Sequence, residues 1–300
     1  MIALTPETTV TKAWAELNRV FRDAGLETPV VDARLLVCYS LGLDRMGLLQ
    51  EPNRALGVKA DELLATARRR LAHEPVSRII GERSFWGRTF TVTPATLDPR
   101  HDSETVAEAA LLLLKEAPLK PPVTILDLGT GTGCLLLTLL AERPEARGLG
   151  IDISPDAVVV AEANAARLGL SARARFQTGN WAAGLTEPFG LVVANPPYIR
   201  HADLAALPAE VAAYDPVLAL DGGLDGLAAY RQILAGMPPL AQRAHIVFEA
   251  GAGQSDAIEQ AMRGALSTAG TLTLRRWRDL GGIERVVAAT IDRDPQFSMG

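Results

Sequence analysis

The sequence predicts an α/β fold: a doubly wound sheet, preceded by a small N-terminal helical domain that a β-hairpin joins to it. Three observations support this prediction. Residues 8–74 carry apolar side chains at helical spacing, residues 81–97 are rich in aromatic and β-branched side chains, and beyond residue 117 short apolar runs alternate with helical patterns. Such alternation is typical of a sheet with helices on both faces.

The first 80 residues are predicted to form the helical domain. Three stretches show helical periodicity and are separated by glycine or proline: "TVTKAWAELNRVFRDAG", "VVDARLLVCYSLG" and "ADELLATARRRLAHE". The last contains "ARRR" at 67–70, which we interpret as a solvated helix face. Residues 81–97 form the predicted hairpin with Gly87 at its turn, and residues 98–293 form the predicted sheet domain.

Composition and charge argue against several classes of protein. A protein that wraps a phosphate backbone needs clustered Lys and Arg, whereas this chain has a net charge of −5 and a pI near 5.5, so no stable nucleic-acid binding is expected. No stretch approaches the roughly 18 apolar residues of a spanning helix, and we expect a cytoplasmic protein without membrane association. Cys38 and Cys134 have neither disulfide nor metal-ligand spacing, so no metal is expected.

The first strand-to-helix junction of the sheet domain, "ILDLGTGTGCLLL", predicts a ligand site. Gly129, Gly131 and Gly133 lack Cβ atoms, so the turn can adopt strained dihedral angles and let a ligand approach the main chain. The following helix directs free N–H groups at any negative group. The dinucleotide fingerprint places its third glycine five positions after the first, where this sequence has Cys134, so the loop departs from that pattern.

Asp152 and Trp181 extend this predicted ligand site. Asp152 ends the second strand of the sheet, where a carboxylate can accept hydrogen bonds from both hydroxyls of a ribose. Ser154 and Pro155 suffice to cap the next helix, so Asp152 is predicted to be free for the ligand. Trp181 follows the third strand and can lie against an adenine ring. The glycine loop and the Asp152 carboxylate together indicate a nucleoside ligand.

The stretch "LVVANPPYIR" predicts a site for an NH2 group. Asn195, Pro196 and Pro197 form a rigid segment after a buried strand, because proline fixes its own φ and makes the preceding residue extended. The Asn195 side-chain oxygen and the Pro196 carbonyl can both accept from one NH2, and Tyr198 offers a flat ring. Two acceptors hold a poorly nucleophilic nitrogen in place for attack. If the electrophile is a sulfonium methyl group, no base is needed before attack.

With these motifs the sequence resembles the S-adenosylmethionine-dependent methyltransferases of Rossmann-like fold, and among them the release-factor glutamine methyltransferase family (HemK-type). "PVSRIIGERSFWG" resembles that family's interdomain signature, "PRHDSET" its segment before the sheet, "LDLGTGTG" its cofactor loop, "NPPY" its amide-binding motif, and "YDPVLALDGGLDGLAAYR" and "GGIERVV" its closing segments. The resemblance runs from about Pro75 to Val287, behind a helical domain of fitting size.

The resemblance implies methylation of the GGQ glutamine of class I peptide-release factors to N5-methylglutamine, by a monomer that uses S-adenosylmethionine. The implied cofactor-binding residues are Gly129, Thr130, Gly131, Thr132, Gly133, Asp152, Asn180, Trp181 and Asn195. The implied substrate-binding residues are Arg100, Glu104, Asn195, Pro196, Pro197 and Tyr198, with Asn195, Pro196 and Tyr198 catalytic and Arg100 and Glu104 in a lid. His101, Ser103 and Asn180 depart from the family's usual proline, threonine and aspartate.

Three other functions remain open at this point. NPPY also occurs in DNA adenine and ribosomal RNA guanine methyltransferases, although a nucleic-acid amino methyltransferase should carry a basic channel. A methyltransferase acting on a ribosomal-protein glutamine would differ mainly in the helical domain, which we take to recognise the substrate protein. A non-catalytic binding module on the same fold is the third possibility.

Overall fold

The computed structural model describes residues 2–293. It divides into two compact units, one containing the chain up to Glu82 together with Pro208–Tyr214, the other Arg83–Leu207 and the chain from Asp215 onward. The helices are α1 (Val10–Asp23), α2 (Pro29–Leu41), α3 (Arg45–Gln50), α4 (Ala60–Leu71), α5 (Val76–Ile80), α6 (Glu104–Glu116), α7 (Cys134–Glu142), α8 (Pro155–Arg167), α9 (Ala209–Tyr214), α10 (Ala228–Ala235) and α11 (Ser255–Leu266). The strands are β1 (Glu82–Phe85), β2 (Arg88–Thr91), β3 (Val123–Leu128), β4 (Ala146–Asp152), β5 (Ala174–Thr178), β6 (Phe189–Ala194), β7 (Leu240–Glu249), β8 (Thr271–Arg278) and β9 (Glu284–Asp292).

The helical unit contains α1 to α5 and the later helix α9. In α1 the side chain of Thr9 caps the first turn, and the buried positions Val10, Ala13, Leu17 and Phe21 form one apolar stripe. The three predicted periodic stretches correspond to α1, α2 and α4. Helices α3 and α5 are not predicted from the sequence, because a helix of five or six residues is too short to show a period.

Arg70 corrects the interpretation of the "ARRR" run as a solvated face. Its side chain is only 3 % exposed and forms ion pairs with Asp32 of α2 at 2.8 Å and with Glu210 of α9 at 3.0 Å. The sequence cannot show this because both partners lie far away along the chain. A buried guanidinium with two carboxylates thus fixes α9 to the other helices of its unit.

The second unit contains a seven-stranded mixed sheet in the order β5-β4-β3-β6-β7-β9-β8, with β1 and β2 forming the separate hairpin. Strands β3 to β7 run parallel to one another, and β9 runs antiparallel to both of its neighbours, β7 and β8. Helices α6, α7 and α8 contribute to the apolar core on one face, and α10 and α11 to the core on the other. The predicted doubly wound α/β fold is therefore confirmed.

The strand order creates a switch point between β3 and β6. From β3 the chain proceeds outward to β4 and β5, then returns to β6 on the other side of β3. Leu128 of β3 pairs with Ala194 of β6. The next residues, Gly129 of the glycine loop and Asn195, therefore leave the sheet side by side. Ligands of open α/β sheets bind at such a point, outside the carboxyl ends of the strands. No helix within residues 2–293 has the length and apolar character to cross a membrane.

Candidate active site

A cavity of about 390 Å³ opens at the carboxyl ends of β3, β4 and β6. Its volume is in the range of small-molecule sites. Most predicted site residues border it: Arg100, Gly129, Thr130, Gly131, Thr132, Asp152, Asn180, Trp181, Asn195 and Pro197. Within the described part of the chain, Glu104, Gly133, Pro196 and Tyr198 are not among the lining residues. The fold thus brings the glycine loop and the NPPY segment to one cavity.

The glycine loop has a left-handed backbone at all three glycines. The φ angles of Gly129, Gly131 and Gly133 are +74°, +53° and +78°. A Cβ on Gly131 would meet no atom within 4 Å, whereas one on Gly133 would lie 3.2 Å from Leu137 and 3.3 Å from Ala161. Gly131 therefore leaves room on the cavity side, while Gly133 allows α7 to pack closely against α8.

Asp152 is already hydrogen-bonded, which corrects the prediction that it is free. Its Oδ2 accepts from the N–H of Gly131 at 2.8 Å, and its Oδ1 accepts from the N–H of Ser154 at 2.9 Å. Ser154 caps α8 as predicted, with its side chain accepting from Ala157 N at 3.2 Å. Each carboxylate oxygen has a second lone pair, so Asp152 can bind two further donors while it holds the glycine loop.

Trp181 lies beside the glycine loop. A Cβ on Gly129 would be 3.6 Å from the Trp181 ring, and the Trp181 backbone has a left-handed φ of +49°. The indole N–H donates to Gln232 Oε1 at 2.9 Å, which fixes the ring's orientation. Asn180 borders the cavity next to it. Gln232 is not predicted as a site residue, because it lies in α10, far from Trp181 along the chain.

Asn195 presents its amide with a defined orientation. Its Nδ2 donates to Ser103 Oγ at 3.0 Å, and no donor within residues 2–293 reaches its Oδ1. No backbone N–H in that range donates to the carbonyl of the buried Pro196. The Asn195 oxygen is therefore available as an acceptor at the cavity, and the Pro196 carbonyl has no backbone partner although Pro196 does not line the cavity.

Tyr198 is held from three sides by glycines. Added Cβ atoms would lie 2.8 Å from its Cα at Gly222, 2.4 Å from its carbonyl oxygen at Gly226 and 2.9 Å from its ring at Gly251. Gln254 Nε2 donates to that carbonyl oxygen at 3.0 Å. The close approach requires glycine at these positions and fixes the end of the NPPY segment.

Arg100 and Glu104 do not lie in the same surroundings. Arg100 borders the cavity and forms an ion pair with the buried Asp215. Glu104 starts α6 and accepts from the N–H of Trp86 at 2.9 Å, with His101 Nδ1 at 3.4 Å from the same oxygen. In this structure, therefore, only Arg100 of the two faces the cavity.

Comparison with known proteins shows the family. The PrmC N-terminal domain matches residues 12–81, and a methyltransferase domain matches residues 119–234. The release factor glutamine methyltransferase of Rhodospirillum rubrum is 47% identical over 268 residues, covering 89% of this chain and 80% of that protein. That of Caulobacter vibrioides is 40% identical over 285 residues, covering 93% and 95%. The chain belongs to the release factor glutamine methyltransferase family.

Membership of the release factor glutamine methyltransferase family confirms the resemblance that the motifs indicate, and the chain is a methyltransferase. Among solved structures, the hMettl16 catalytic domain in complex with MAT2A 3'UTR hairpin 6 has a TM-score of 0.53 at 12% identity, covering 79% of this chain and 82% of that chain. This second likeness concerns the fold alone.

Two buried carboxyl groups of this release factor glutamine methyltransferase family member are missed by the sequence analysis. Burial raises the pKa of Asp127 and of Glu249 to about 7 each. Asp127 accepts from Thr130 Oγ1 at 2.7 Å, beneath the glycine loop. Glu249 is the last residue of β7. The sequence signal that could have identified it is a carboxylate at the end of the apolar run "HIVFEA". Both carboxyl groups lie in the sheet domain beside a predicted site residue, Asp127 beside Thr130 and Glu249 beside Tyr198.

Other reactive side chains are less suited to chemistry. Burial raises the pKa of the Cys134 thiol to about 12, so it stays protonated and is a poor nucleophile. Within residues 2–293, no cluster of three or more His, Cys, Asp or Glu side chains could hold a metal ion.

Proposed function

We propose that this chain transfers a methyl group from S-adenosylmethionine to the side-chain nitrogen of the GGQ glutamine in class I peptide-release factors, giving N5-methylglutamine. The observation that carries the proposal is the orientation of Asn195. Its NH2 group is bonded back to Ser103, which leaves its oxygen as an acceptor at the cavity, and the carbonyl of the adjacent Pro196 has no backbone partner.

The cavity fits S-adenosylmethionine by its volume and by its polar groups. Gly131 leaves open space above the loop, Asp152 has two lone pairs for the ribose hydroxyls, and the ring of Trp181 can lie along the adenine. Asn180 can accept from the adenine amino group through its oxygen. When bound, S-adenosylmethionine supplies an electrophilic methyl group on a sulfonium.

Asn195 and Pro196 supply the positioning that an amide nitrogen needs. The lone pair of an amide nitrogen is delocalised, so the nitrogen is a weak nucleophile. Acceptors for both N–H bonds hold the glutamine side chain in one orientation and stabilise the positive charge that develops on nitrogen during attack. The amide nitrogen would form its bond to the methyl carbon as the carbon–sulfur bond breaks, leaving a neutral thioether, and would then release one proton to water, so no general base has to act first. Three close glycines and a hydrogen bond from Gln254 hold Tyr198 at the far end of this segment.

The helical unit is the proposed recognition domain for the release factor. Val31, Leu35 and Tyr39 are 41 %, 37 % and 47 % exposed and recur every four residues along α2, so they lie on one face of the helix. An exposed apolar stripe suits a protein partner. We further propose that the enzyme acts as a monomer in the cytoplasm, where translation termination takes place.

The test is transfer of labelled methyl from S-adenosylmethionine to a purified class I release factor. A factor with alanine at the GGQ glutamine is the matched control, and a ribosomal-protein fraction and transfer RNA are the competing acceptors. We expect label only on the release factor that retains its GGQ glutamine. Label on the alanine factor, on ribosomal protein or on RNA contradicts the proposed acceptor.

A further inference from the structure

The Asp215 carboxylate ties together two stretches of chain that both border the active-site cavity. Its Oδ1 accepts from the main-chain N–H of Asp98 at 3.2 Å, and its Oδ2 forms an ion pair with the guanidinium of Arg100. Pro99 and Arg100 line the cavity from one stretch, and Pro216 lines it from the other. The Asp215 side chain is only 2 % exposed, so its charge acts from inside the cavity wall.

Arg100 carries the only positive charge among the side chains that line the cavity within residues 2–293. The other charged side chains of the lining are the carboxylates of Asp152 and Asp156. Because Arg100 is paired with Asp215, its charge is balanced and the lining as a whole is negative. Without that partner, the guanidinium would oppose a cationic ligand in the same cavity.

Arg100 lies at the end of the cavity where the proposed transfer takes place. Arg100 and Ser103 belong to one turn, in which the Ser103 N–H donates to the Arg100 carbonyl at 3.2 Å. The Ser103 side chain accepts from Asn195 Nδ2 at 3.0 Å. In the proposed reaction a sulfonium delivers its methyl group to a nitrogen held by Asn195. The sulfonium charge and the Arg100 charge therefore share this end of the cavity.

We infer that Asp215 is a specificity-determining residue: by pairing with Arg100, it lets the cavity prefer cationic S-adenosylmethionine over S-adenosylhomocysteine, the neutral thioether that remains after transfer. The inference rests on the proposed function, which supplies the cofactor. The two molecules differ by one methyl group and one positive charge and are otherwise the same. A change of charge in the cavity therefore alters their relative affinity, whereas a general loosening of the cavity weakens the binding of both.

Such a preference favours turnover. Once the methyl group has been transferred, the sulfonium charge is gone and the negative lining no longer attracts the spent cofactor. The thioether is then held less tightly than a fresh molecule of S-adenosylmethionine. Since product release limits the rate of many enzymes, weaker binding of the thioether helps to clear the cavity for the next cycle.

The experiment measures the dissociation constants of both molecules by calorimetry in the wild type and in Asp215→Asn, with no release factor present. Asparagine keeps the shape and can still accept from the Asp98 N–H, but it leaves the Arg100 charge unbalanced. The ratio of the S-adenosylhomocysteine constant to the S-adenosylmethionine constant should fall by about tenfold, because only the sulfonium is repelled. A fall smaller than about threefold, or a rise, overturns the inference.

Replacing both members of the ion pair provides a second measurement. Arg100→Gln combined with Asp215→Asn removes the two charges together, so the ratio should return to within about threefold of the wild-type value, whatever the absolute affinities. A double variant that keeps the lowered ratio overturns the inference. If Asp215→Asn alone does not fold, Arg100→Gln decides. Loss of the cation beside the Asp215 carboxylate should raise the ratio by about threefold or more, and an unchanged or lower ratio overturns the inference.

Asp279 provides the matched control. Its carboxylate also binds one guanidinium and one main-chain N–H, those of Arg285 and Ile283, at 2.9 Å each. In the part of the chain that the structure describes, neither Asp279 nor Arg285 is among the lining residues of the cavity. Asp279→Asn should therefore leave the ratio unchanged, and a fall equal to that in Asp215→Asn overturns the assignment.

Failure of the proposed function gives a different result from failure of this inference. If the wild type binds neither S-adenosylmethionine nor S-adenosylhomocysteine, the proposed cofactor is wrong. If the wild type binds both molecules and the ratio is the same in Asp215→Asn, the proposed cofactor stands and only the role of Asp215 is overturned.

Discussion

Gly226→Ala is expected to displace the NPPY segment without harming the cofactor site. Gly226 has a left-handed φ of +76°, and an added Cβ would lie 2.4 Å from both the carbonyl oxygen of Tyr198 and Nε2 of Gln254. The carbonyl belongs to the main chain, so it can only yield by moving the NPPY segment. Gly253 provides the control, because its φ of +79° is nearly the same and an added Cβ would meet nothing within 4 Å.

The two substitutions share one cost and differ in another. Placing alanine in the left-handed region costs about 1–2 kcal/mol in both variants. Gly226→Ala adds overpacking of about 1–3 kcal/mol and loss of the bond from Gln254 to Tyr198, about 1 kcal/mol. We therefore expect Gly226→Ala to lower the free energy of unfolding by about 2–4 kcal/mol more than Gly253→Ala.

Urea unfolding and steady-state methyl transfer to the release factor together check this prediction. Gly226→Ala should lower kcat/KM by at least about tenfold while S-adenosylmethionine binds with wild-type affinity, since a misplacement of about 1 Å suffices for large losses. Gly253→Ala should keep its transfer rate. Equal stability losses in the two variants, together with equal transfer rates, refute the account of how Tyr198 is held.

Further predictions concern single side chains of the site. Asn195→Ala should remove about 2–4 kcal/mol of transition-state stabilisation, measured as kcat/KM, with the fold retained; wild-type transfer contradicts its role. Asp152→Ala should weaken S-adenosylmethionine binding in calorimetry by about tenfold or more, because it removes the ribose acceptor and frees the Gly131 N–H; unchanged affinity removes the assignment. Glu249→Gln should stabilise the protein at pH 8.5 in urea unfolding. The rise in the Glu249 pKa from 4.5 to about 7 means that ionisation disfavours the folded state by about 3 kcal/mol above pH 7, a penalty that disappears as the pH falls towards 4.5. A variant less stable than the wild type at pH 8.5 contradicts this prediction.

Local chemistry makes part of the site predictable from the sequence. The three glycines and Asn195 are predictable because each lies directly after an apolar strand, and the carboxyl ends of neighbouring parallel strands converge at one edge of the sheet. Ser154 is predictable as a helix cap because its partner, the N–H of Ala157, is only three residues away.

The rest depends on contacts between residues far apart in the sequence. Ser103 and Glu249 reach Asn195 and Tyr198 only through the folded sheet, and nothing in a linear pattern specifies such partners. Asp152 shows the same limit, since its bond to the Gly131 N–H depends on the curvature of the glycine loop. Arg70 is predicted to be solvent-exposed because helical spacing alone does not reveal its ion pairs with Asp32 and Glu210, which lie on helices far away along the chain.

Methylation of one glutamine side chain of a release factor is the activity on which the roles of the site residues depend. The most direct test is tandem mass spectrometry of a class I release factor incubated with S-adenosylmethionine and either the wild type or Asn195→Ala. We expect the wild type to add one methyl group, located on the side-chain nitrogen of the GGQ glutamine, and Asn195→Ala to leave almost all of that peptide unmethylated in the same time. A methyl group at any other residue, or equal methylation by both enzymes, contradicts it.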